Sequence, residues 1–366
     1  MRALGRFLLA VRWGPLAAAS TLVVFACSGQ ARPTPPARLL LAPQVTVQES
    51  GTNALLQAVS VVDARIVWVS GHRGTFARTL DGGATWQSSR VPGADSLEFR
   101  DVHAVSADTA YLMSAGSGAL SRVFKTTDGG RTWTLQHLNA EPEAFFDCFA
   151  FWDSRRGVLF SDAVRGEHMV LTTNDGGASW VRAPSARLPP AAAGEGSFAA
   201  SGTCVTALGA RSAWIGTGNA SPARVLRTTD GGQSWSAAAV PVASGEAAGL
   251  ASVIFRDSLH GVALGGEIGR GTARGDYVAR TDDGGRTWTI AGRPTFAGAV
   301  YGAAYAPGAP TPTIVAVGPR GTDLSTDDAR TWTAIDTLAA WSVGFARTGT
   351  GWVVGPRGRI VSIRLF

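Results

Sequence analysis

The sequence predicts an all-β fold, a seven-bladed β-propeller whose ring is closed by pairing of its N-terminal and C-terminal strands. Three observations lead to it: a hairpin motif that recurs six times, short apolar runs between its copies, and a strand-like segment near the N-terminus. The chain has 366 residues, of which 46 are glycine, 45% are hydrophobic and 16% are charged. This composition excludes disordered and collagen-like chains, and the spread of glycines favours many tight turns between short strands.

The repeated motif is an octapeptide with the pattern Ser/Thr-x-Asp-x-Gly-x-Ser/Thr-Trp. Its copies are Thr79 to Trp86, Thr126 to Trp133, Thr173 to Trp180, Thr228 to Trp235, Thr281 to Trp288 and, in degraded form, Ser325 to Trp332. Successive tryptophans lie 47, 47, 55, 53 and 44 residues apart. This spacing is typical of one four-stranded blade per copy.

The residue types of the motif indicate a tight hairpin between the third and fourth strands of each blade. The aspartate carboxylate can accept hydrogen bonds from amides of its own turn, and glycine supplies a positive φ angle. The tryptophan then opens the fourth strand. In the last copy Asp328 and Ala329 replace two glycines. We therefore expect Ala329 to carry a left-handed strain of roughly 1 kcal/mol.

Two apolar runs precede each copy of the motif and predict the first and second strands of its blade. Three further runs follow the last copy, namely Trp341 to Ala346, Trp352 to Gly355 and Arg359 to Leu365. They make three strands of a seventh blade, and Gln44 to Glu49 can supply the missing fourth. The propeller domain is therefore predicted to span residues 44–366, with its two ends sharing one blade so that no edge is left exposed.

The motif resembles the Asp-box, or BNR repeat, of sialidases, sortilin-type receptors and some glucanases. Together with the blade count and the Gly-x-x-Gly loops upstream of the motif, it most resembles the photosystem II stability/assembly factor-like proteins, which are often exported bacterial propellers. The resemblance covers about residues 44–366. It implies a non-enzymatic scaffold that binds a protein partner and assists the assembly or stability of an envelope complex. The motif itself is specific for fold and not for function.

A loop motif found three times supplies candidate partner-binding residues. Its copies are Gly71-His72-Arg73-Gly74, Gly318-Pro319-Arg320-Gly321 and Gly355-Pro356-Arg357-Gly358. All three are predicted between second and third strands, in blades 1, 6 and 7, which are neighbours in a closed ring. Arg73, Arg320 and Arg357 would then cluster on one rim and bind carboxylates. The simpler alternative is that arginine only solubilises these turns.

The face that carries this loop motif leads to two further expectations. The corresponding loops of blades 3 and 5 carry Asp162, Glu167, Glu267 and Asp276, so the face is expected to be electrically polarised. In the family that the chain resembles, a basic patch is implicated in binding a client membrane protein. The three arginines are the candidate equivalents of that patch.

Acidic residues in two unusual loops give an alternative function. The loops Glu141 to Asp147 and Leu188 to Gly202 are predicted to enter blades 3 and 4 side by side. Glu143, Asp147 and Glu195 would face a shared pocket of a glycan-binding protein or a sialidase-like or glucanase-like glycoside hydrolase, which needs two carboxyl groups at a set separation. The simpler alternative is solvated loop acids. The Arg-Ile-Pro element expected of a sialidase is absent, and we favour a protein that is not an enzyme.

The motif aspartates are predicted to be structural, because a catalytic group need not occur once per blade. They are Asp81, Asp128, Asp175, Asp230, Asp283 and Asp327. No copy has the ligand spacing of a calcium loop, and the five histidines have no metal-ligand spacing. We therefore expect no metal and no cofactor. The absence of an Arg/Lys run argues against a nucleic-acid partner, and we expect a monomer.

Cys148 and Cys204 are an even pair in a chain expected to be exported, which favours a disulfide bond. However, both are predicted at equivalent points of adjacent innermost strands. Equivalent side chains point in the same rotational sense around the ring and do not face each other. The alternative is that both are small core residues.

The N-terminal segment has the pattern of an export signal. Residues 1–26 have a basic start, an apolar body and the small residue Ala26 before Cys27. Val24 to Cys27 resembles the lipobox of bacterial lipoproteins, so Cys27 is the predicted lipidation site. Residues 27–43 contain four prolines and predict an extended tether. The expected location is the periplasm or cell envelope, at the outer membrane through the lipid anchor.

Overall fold

The computed structural model describes residue 10 and residues 42–366. The predicted signal segment, Cys27 and the predicted tether up to residue 41 lie outside the described residues. In the described part of the chain, 28 strands form seven four-stranded antiparallel sheets. The seven-bladed β-propeller predicted from the sequence is therefore correct. No helix within residues 42–366 is both long enough and apolar enough to cross a membrane.

The first four blades follow one another along the chain. Blade 1 contains β2 (Leu56–Val61), β3 (Val67–Gly71), β4 (Thr75–Thr79) and β5 (Gln87–Arg90), and blade 2 contains β6 (Glu98–Ala104), β7 (Ala110–Ala115), β8 (Arg122–Thr126) and β9 (Thr134–Leu138). Blade 3 contains β10 (Phe146–Phe151), β11 (Gly157–Val164), β12 (Glu167–Thr173) and β13 (Val181–Arg182). Blade 4 contains β14 (Val205–Leu208), β15 (Ser212–Gly216), β16 (Arg224–Thr228) and β17 (Ser236–Ala239).

The last three blades complete the ring. Blade 5 contains β18 (Ala248–Phe255), β19 (Gly261–Glu267), β20 (Val278–Thr281) and β21 (Thr289–Ile290). Blade 6 contains β22 (Gly302–Tyr305), β23 (Ile314–Gly318), β24 (Gly321–Ser325) and β25 (Thr333–Asp336). Blade 7 contains β26 (Ser342–Phe345), β27 (Thr350–Val354), β28 (Ile360–Arg364) and β1 (Gln44–Gln48). Two short 3₁₀ helices, Gly118–Leu120 and Ser185–Arg187, lie in loops of blades 2 and 3.

The two ends of the propeller meet in blade 7. Strand β1 pairs antiparallel with β28, from Gln44 opposite Arg364 to Gln48 opposite Ile360. The innermost strand β26 contacts β22 on one side and β2 on the other, which places blades 6, 7 and 1 next to one another. The Gln48 side chain also accepts a hydrogen bond of 3.0 Å from Trp86 Nε1 of blade 1. Blade 7 is thus held to blade 1 through its terminal strand as well as its innermost one.

Large aromatic side chains on the second strands fill the space between blades. Trp68, Trp214 and Trp352 are fully buried on β3, β15 and β27. Trp214 stacks on Phe255 of the next blade with ring centroids 3.7 Å apart, and its indole Nε1 donates to the Gly284 carbonyl at 2.8 Å. Because apolar burial and a satisfied indole N–H act together at Trp214, its contacts bind blades 4 and 5 into one core.

The repeated octapeptide forms a hairpin, called here the box hairpin, in which the aspartate is used internally. In the first copy Asp81 accepts hydrogen bonds from the Thr79 hydroxyl and from the amide and hydroxyl of Thr85, at 2.7, 2.9 and 2.6 Å. The bonds from Thr85 and Thr79 lower the pKa of Asp81 to about 2. Ala329 of the sixth copy has a φ of 66°, the left-handed conformation that the sequence predicts, and Asp328 beside it has a φ of 63°.

Candidate functional site

A single segment closes the central channel of the propeller. This plug, residues 196–203, belongs to the long loop between blades 3 and 4. Its Gly196 exchanges two backbone hydrogen bonds with Gly218 of blade 4, and the Ser197 amide donates to Asp162 of blade 3 at 3.1 Å. A Cβ atom on Gly196 would overlap the Asp162 carboxylate, so this close approach requires glycine.

The plug also contacts the other five blades. The Gln57 side chain of blade 1 donates to the Ala200 carbonyl at 3.4 Å, and Ser342 of blade 7 donates to the Ser201 carbonyl at 3.0 Å. The Ser201 hydroxyl donates to the Tyr301 carbonyl at the start of blade 6, at 2.7 Å. The Thr203 hydroxyl donates to the Ser252 hydroxyl of blade 5 at 2.9 Å. Gly202 packs against the Asp101 carboxylate of blade 2. The plug therefore fastens all seven blades to one another at the centre.

Above the plug lies a cavity of about 470 Å³, on the face where the first strands begin. Aromatic side chains from three blades and the plug form much of its wall, namely Phe145, Phe198, Tyr301 and Trp341. Polar side chains complete it, namely Gln57, His72, Arg100, Asp162, Ser197 and Asn219. Cavities of this size, mostly apolar with a few converging polar groups, are typical of ligand sites.

Bulges in the innermost strands direct polar side chains towards this cavity. The strand register shifts at Gln57, Arg100 and Asp147, which are single extra residues in β2, β6 and β10. A bulge turns its extra side chain away from the regular alternation of the strand. Gln57 and Arg100 line the cavity, while Asp147 lies behind its wall beside Asp162. Gln57 and Arg100 are not predictable from the sequence as site residues, because no local residue pattern marks a bulge.

The three arginines of the loop motif lie on the same face as the cavity. Arg73, Arg320 and Arg357 are exposed, each in the turn between the second and third strands of its blade. Arg320 Nε donates to the Gly271 carbonyl at 2.7 Å. Within residues 42–366 none of the three has a carboxylate at ion-pair distance, and no shared contact joins them directly. Arg73 and Arg357 have left-handed φ angles of 59° and 58°.

The expected acidic side of this face is largely neutralised. Glu167 pairs with Arg182 at 3.4 Å, Glu267 with Arg270 at 2.9 Å and Asp276 with Arg293 at 2.9 Å. Asp162 is the exception, since it faces the cavity. Local ion pairs thus offset these acids of blades 3 and 5, and any charge contrast across this face comes from Arg73, Arg320 and Arg357 rather than from an acidic side.

The three acids of the alternative site do not share a pocket. Glu143 is exposed, whereas Asp147 and Glu195 are each 1% exposed, and none of the three lines the cavity. Glu195 accepts hydrogen bonds from Arg224 Nε at 2.9 Å and Thr217 at 2.7 Å. The prediction of a shared carboxylate pocket is wrong, because burial and this ion pair place each acid in a different environment.

The two cysteines form a disulfide bond between blades 3 and 4, with their Cα atoms 6.0 Å apart. Equivalent positions on two regular strands would keep the two side chains apart. Instead, Cys148 directly follows the bulge at Asp147, and Cys204 joins the end of the plug to β14. Neither position is regular, so the two side chains can face each other. Within residues 42–366 no cluster of three or more His, Cys, Asp or Glu side chains is arranged to hold a metal ion.

Comparisons with known proteins agree on the fold. No family model and no curated protein sequence matches the chain. Among solved structures, YCF48 bound to D1 peptide is similar with a TM-score of 0.63 and 15% identity, over 90% of this chain and 97% of that one. YCF48 from Cyanidioschyzon merolae gives 0.62 and 17%, over 87% and 98%. The GH74 enzyme of Niastella koreensis gives 0.60 and 15%, over 87% of this chain and 53% of that one. At these identities the likeness shows a shared propeller fold.

Replacing Asp162 by asparagine is expected to make folding less sensitive to pH. Burial raises the pKa of Asp162 from 3.8 to about 6. The folded wild type therefore loses stability as the pH rises from about 4 through 6, because a buried carboxyl group must ionise. Asparagine keeps an acceptor for the Ser197 amide and does not ionise. In urea denaturation we compare the free energies of unfolding of the variant and the wild type. Between pH 4.5 and pH 8 this difference should change by about 1–2 kcal/mol in favour of the variant. A difference that does not change with pH would contradict this.

Proposed function

We propose that this propeller is a non-enzymatic scaffold that binds a protein partner on the face carrying the cavity, and that it assists the assembly or stability of an envelope complex. The observation that carries the proposal is the arrangement of Arg73, Arg320 and Arg357. They occupy equivalent turns of three consecutive blades, and within residues 42–366 they have no carboxylate partner. Arginines left unpaired in this way are available to bind carboxylates of another chain.

Backbone conformation supports a role for two of these arginines. Arg73 and Arg357 adopt left-handed φ angles, which cost a residue with a Cβ atom about 1 kcal/mol relative to glycine. A turn that only needed to be tight and soluble would be better served by glycine or asparagine. Strained residues of this kind often occur at binding sites, where the side chain has a use that offsets the strain.

The proposal includes export and membrane attachment. The basic and apolar residues 1–26 and the lipobox-like sequence ending at Cys27 support secretion and lipidation, and the proline-rich residues after it support a tether. The propeller would then work at the membrane surface of the periplasm or cell envelope, within reach of a membrane complex. The similar structure of YCF48 bound to D1 peptide supports a protein ligand for a propeller of this shape.

A glycoside hydrolase function has less support. Such enzymes place two carboxyl groups roughly 5–10 Å apart on either side of a sugar. Glu195 is committed to Arg224, Glu143 lies on the open surface and Asp147 lies behind the cavity wall. The structure therefore offers no pair of free carboxyl groups among these three residues.

The test is affinity capture from detergent-solubilised native envelope, with the full-length chain as bait. The variant Arg73→Glu, Arg320→Glu, Arg357→Glu is expected to lose a defined partner that wild type retains, and salt is expected to weaken the wild-type interaction. The matched control is Arg131→Glu, Arg286→Glu, Arg330→Glu, which makes the same charge change in box hairpins on the opposite face. If the triple variant and the control recover the same partners, the face that carries Arg73, Arg320 and Arg357 is not the partner-binding site.

A further inference from the structure

Two neighbouring carboxyl groups at the wall of the central cavity meet only one hydrogen-bond donor between them. Asp162 lines the cavity, and of its oxygens Oδ1 accepts the Ser197 amide at 3.1 Å. Asp147 stands directly behind it, 1% exposed, and neither of its carboxylate oxygens meets a donor. Its immediate polar neighbour is the Asp162 carboxyl group, which can donate only if one of the two is protonated. A buried acceptor pair of this kind is costly unless something else supplies donors.

The positive groups of the cavity do not cancel this pair. Arg100 is held by Glu98, with its Nε and Nη2 atoms 3.0 and 2.5 Å from Glu98 Oε2, and its guanidinium lies over the Phe145 ring. His72 Nε2 donates to Gln57 Oε1 at 2.5 Å, and burial lowers the pKa of its imidazole, which keeps it neutral at pH 7. Arg100 is shared with Glu98, so it offsets the negative charge of Asp147 only in part, and the remaining charge in the cavity is that of the two aspartates.

The two aspartates differ in how readily they ionise. Burial and the charge of Asp162 raise the pKa of Asp147 well above its usual range, and burial raises the pKa of Asp162 to about 6. Asp147 is therefore the aspartate that holds a proton more readily, and Asp162, which lines the cavity, is the more readily ionised of the two. The cavity presents a single carboxylate surrounded by aromatic rings.

The aromatic wall suits a cation. Tyr301 and Trp341 stand with ring centroids 5.2 Å apart, and Phe145 and Phe198 also line the cavity. Aromatic faces attract ammonium and guanidinium groups, most strongly where water is displaced. A guanidinium group also stacks on aromatic rings and binds a carboxylate through two parallel hydrogen bonds.

We propose that the central cavity binds the basic side chain of a peptide segment, whose cationic end donates hydrogen bonds to Asp162 between the aromatic rings. The proposal rests on the proposed function, because it assumes that this face binds a protein. It adds the chemistry of the ligand: a basic residue enters the cavity, while acidic residues on either side of it reach Arg73, Arg320 and Arg357 on the rim. A volume of about 470 Å³ accommodates one such side chain with its hydrating water.

The test compares capped pentapeptides binding to the folded wild-type chain at pH 7, measured by titration calorimetry and saturation-transfer NMR. The probes are acetyl-Gly-Ala-Xaa-Ala-Gly-amide with arginine, citrulline or glutamate at the central position. Citrulline has nearly the shape of arginine without its charge. We expect the arginine peptide to bind at least tenfold more tightly than the other two. Equal affinities, tighter binding of the glutamate peptide, or no detectable binding of the arginine peptide at 10 mM would overturn the proposal.

Variants locate the site and separate the two proposals. Asp162→Asn is expected to abolish the preference for arginine over citrulline, whereas Asp276→Asn, a change at an exposed acid of the same face, is expected to preserve it. An Asp162→Asn protein that keeps the preference would also overturn the proposal. The triple arginine variant is expected to retain the preference for arginine over citrulline, since neither of these two peptides carries an acidic residue. If only the capture experiment fails, the rim arginines are excluded as a partner-binding site, and the proposed cavity site is unaffected.

Discussion

Replacing Cys148 and Cys204 together by alanine is expected to lower the free energy of unfolding by about 4 kcal/mol. The disulfide closes a loop with a sequence separation of 56 residues between blades 3 and 4. In the chain-entropy description, closing a loop of this length removes about 4 kcal/mol of conformational freedom from the unfolded chain at 25 °C. Each cysteine is also at most 1% exposed in the core between these blades, so alanine adds a smaller loss of packing.

The location of this bond makes its loss consequential for the candidate site. Cys148 follows Asp147 directly, and Cys204 follows the last residue of the plug. The bond therefore ties the plug to the strand that carries the buried carboxyl group. We expect the double variant to lose order first in the plug, where amide hydrogen exchange of residues 196–203 should accelerate more than that of the box hairpins.

The control for this prediction is reduction of the wild-type chain. Under a strong reductant the wild type and the double variant should unfold at similar denaturant concentrations, with any remaining gap reporting the lost packing. Both cysteines are changed together because a single change leaves an unpaired thiol. An oxidised wild type that is no more stable than the double variant would show that the bond adds nothing to folding.

The blades are predictable from sequence because local interactions determine them. Each box hairpin is built from hydrogen bonds between residues at most four apart, such as those joining Thr79, Asp81 and Thr85. The pattern of residue types therefore determines the turn wherever it occurs, and six turns at a regular spacing predict the ring. The arginine turns are predictable for the same reason, since their position between the second and third strands follows from the count of strands.

The centre of the molecule is not predictable in this way. The plug is held by bonds such as Ser201 with Tyr301 and Ser342 with Ser201, which join residues 100 and 141 positions apart. The bulges at Gln57, Arg100 and Asp147 depend on packing around the channel, and no residue pattern marks them. The sequence therefore predicts Asp147 in a loop facing a pocket, whereas it lies within β10 behind the cavity wall.

Replacing Glu195 by glutamine is expected to destabilise the protein by about 3 kcal/mol. Its side chain is fully buried and forms an ion pair with Arg224, whose side chain is 18% exposed. Burial acts to raise the pKa of Glu195, but hydrogen bonds from Arg224, the Ala192 amide and Thr217 outweigh it, and the pKa lies below its ordinary value. The carboxylate is thus ionised, and losing its charge leaves a largely buried guanidinium unpaired, which typically costs 3–5 kcal/mol.

The effect should be specific to the ion pair, which a double-mutant cycle in denaturant unfolding can measure. Arg224→Met is also expected to destabilise, and the combination Glu195→Gln, Arg224→Met should lose less than the sum of the two, because no unpaired charge remains. The matched control Glu143→Gln, at an exposed acid of the loop entering blade 3, should change stability by less than about 0.5 kcal/mol.

This prediction also discriminates between the two functions considered for the chain. A catalytic carboxylate can be replaced with little or no loss of stability, since its role is exerted on a substrate. Replacing a structural carboxylate lowers the free energy of unfolding. Glu195 also supports the plug, because the Ala163 amide donates to its backbone carbonyl at 3.0 Å and Gly196, the first residue of the plug, follows it. A Glu195→Gln protein as stable as wild type would mean that the carboxylate is not needed for folding. Glu195 would then again be a candidate catalytic residue of a glycoside hydrolase.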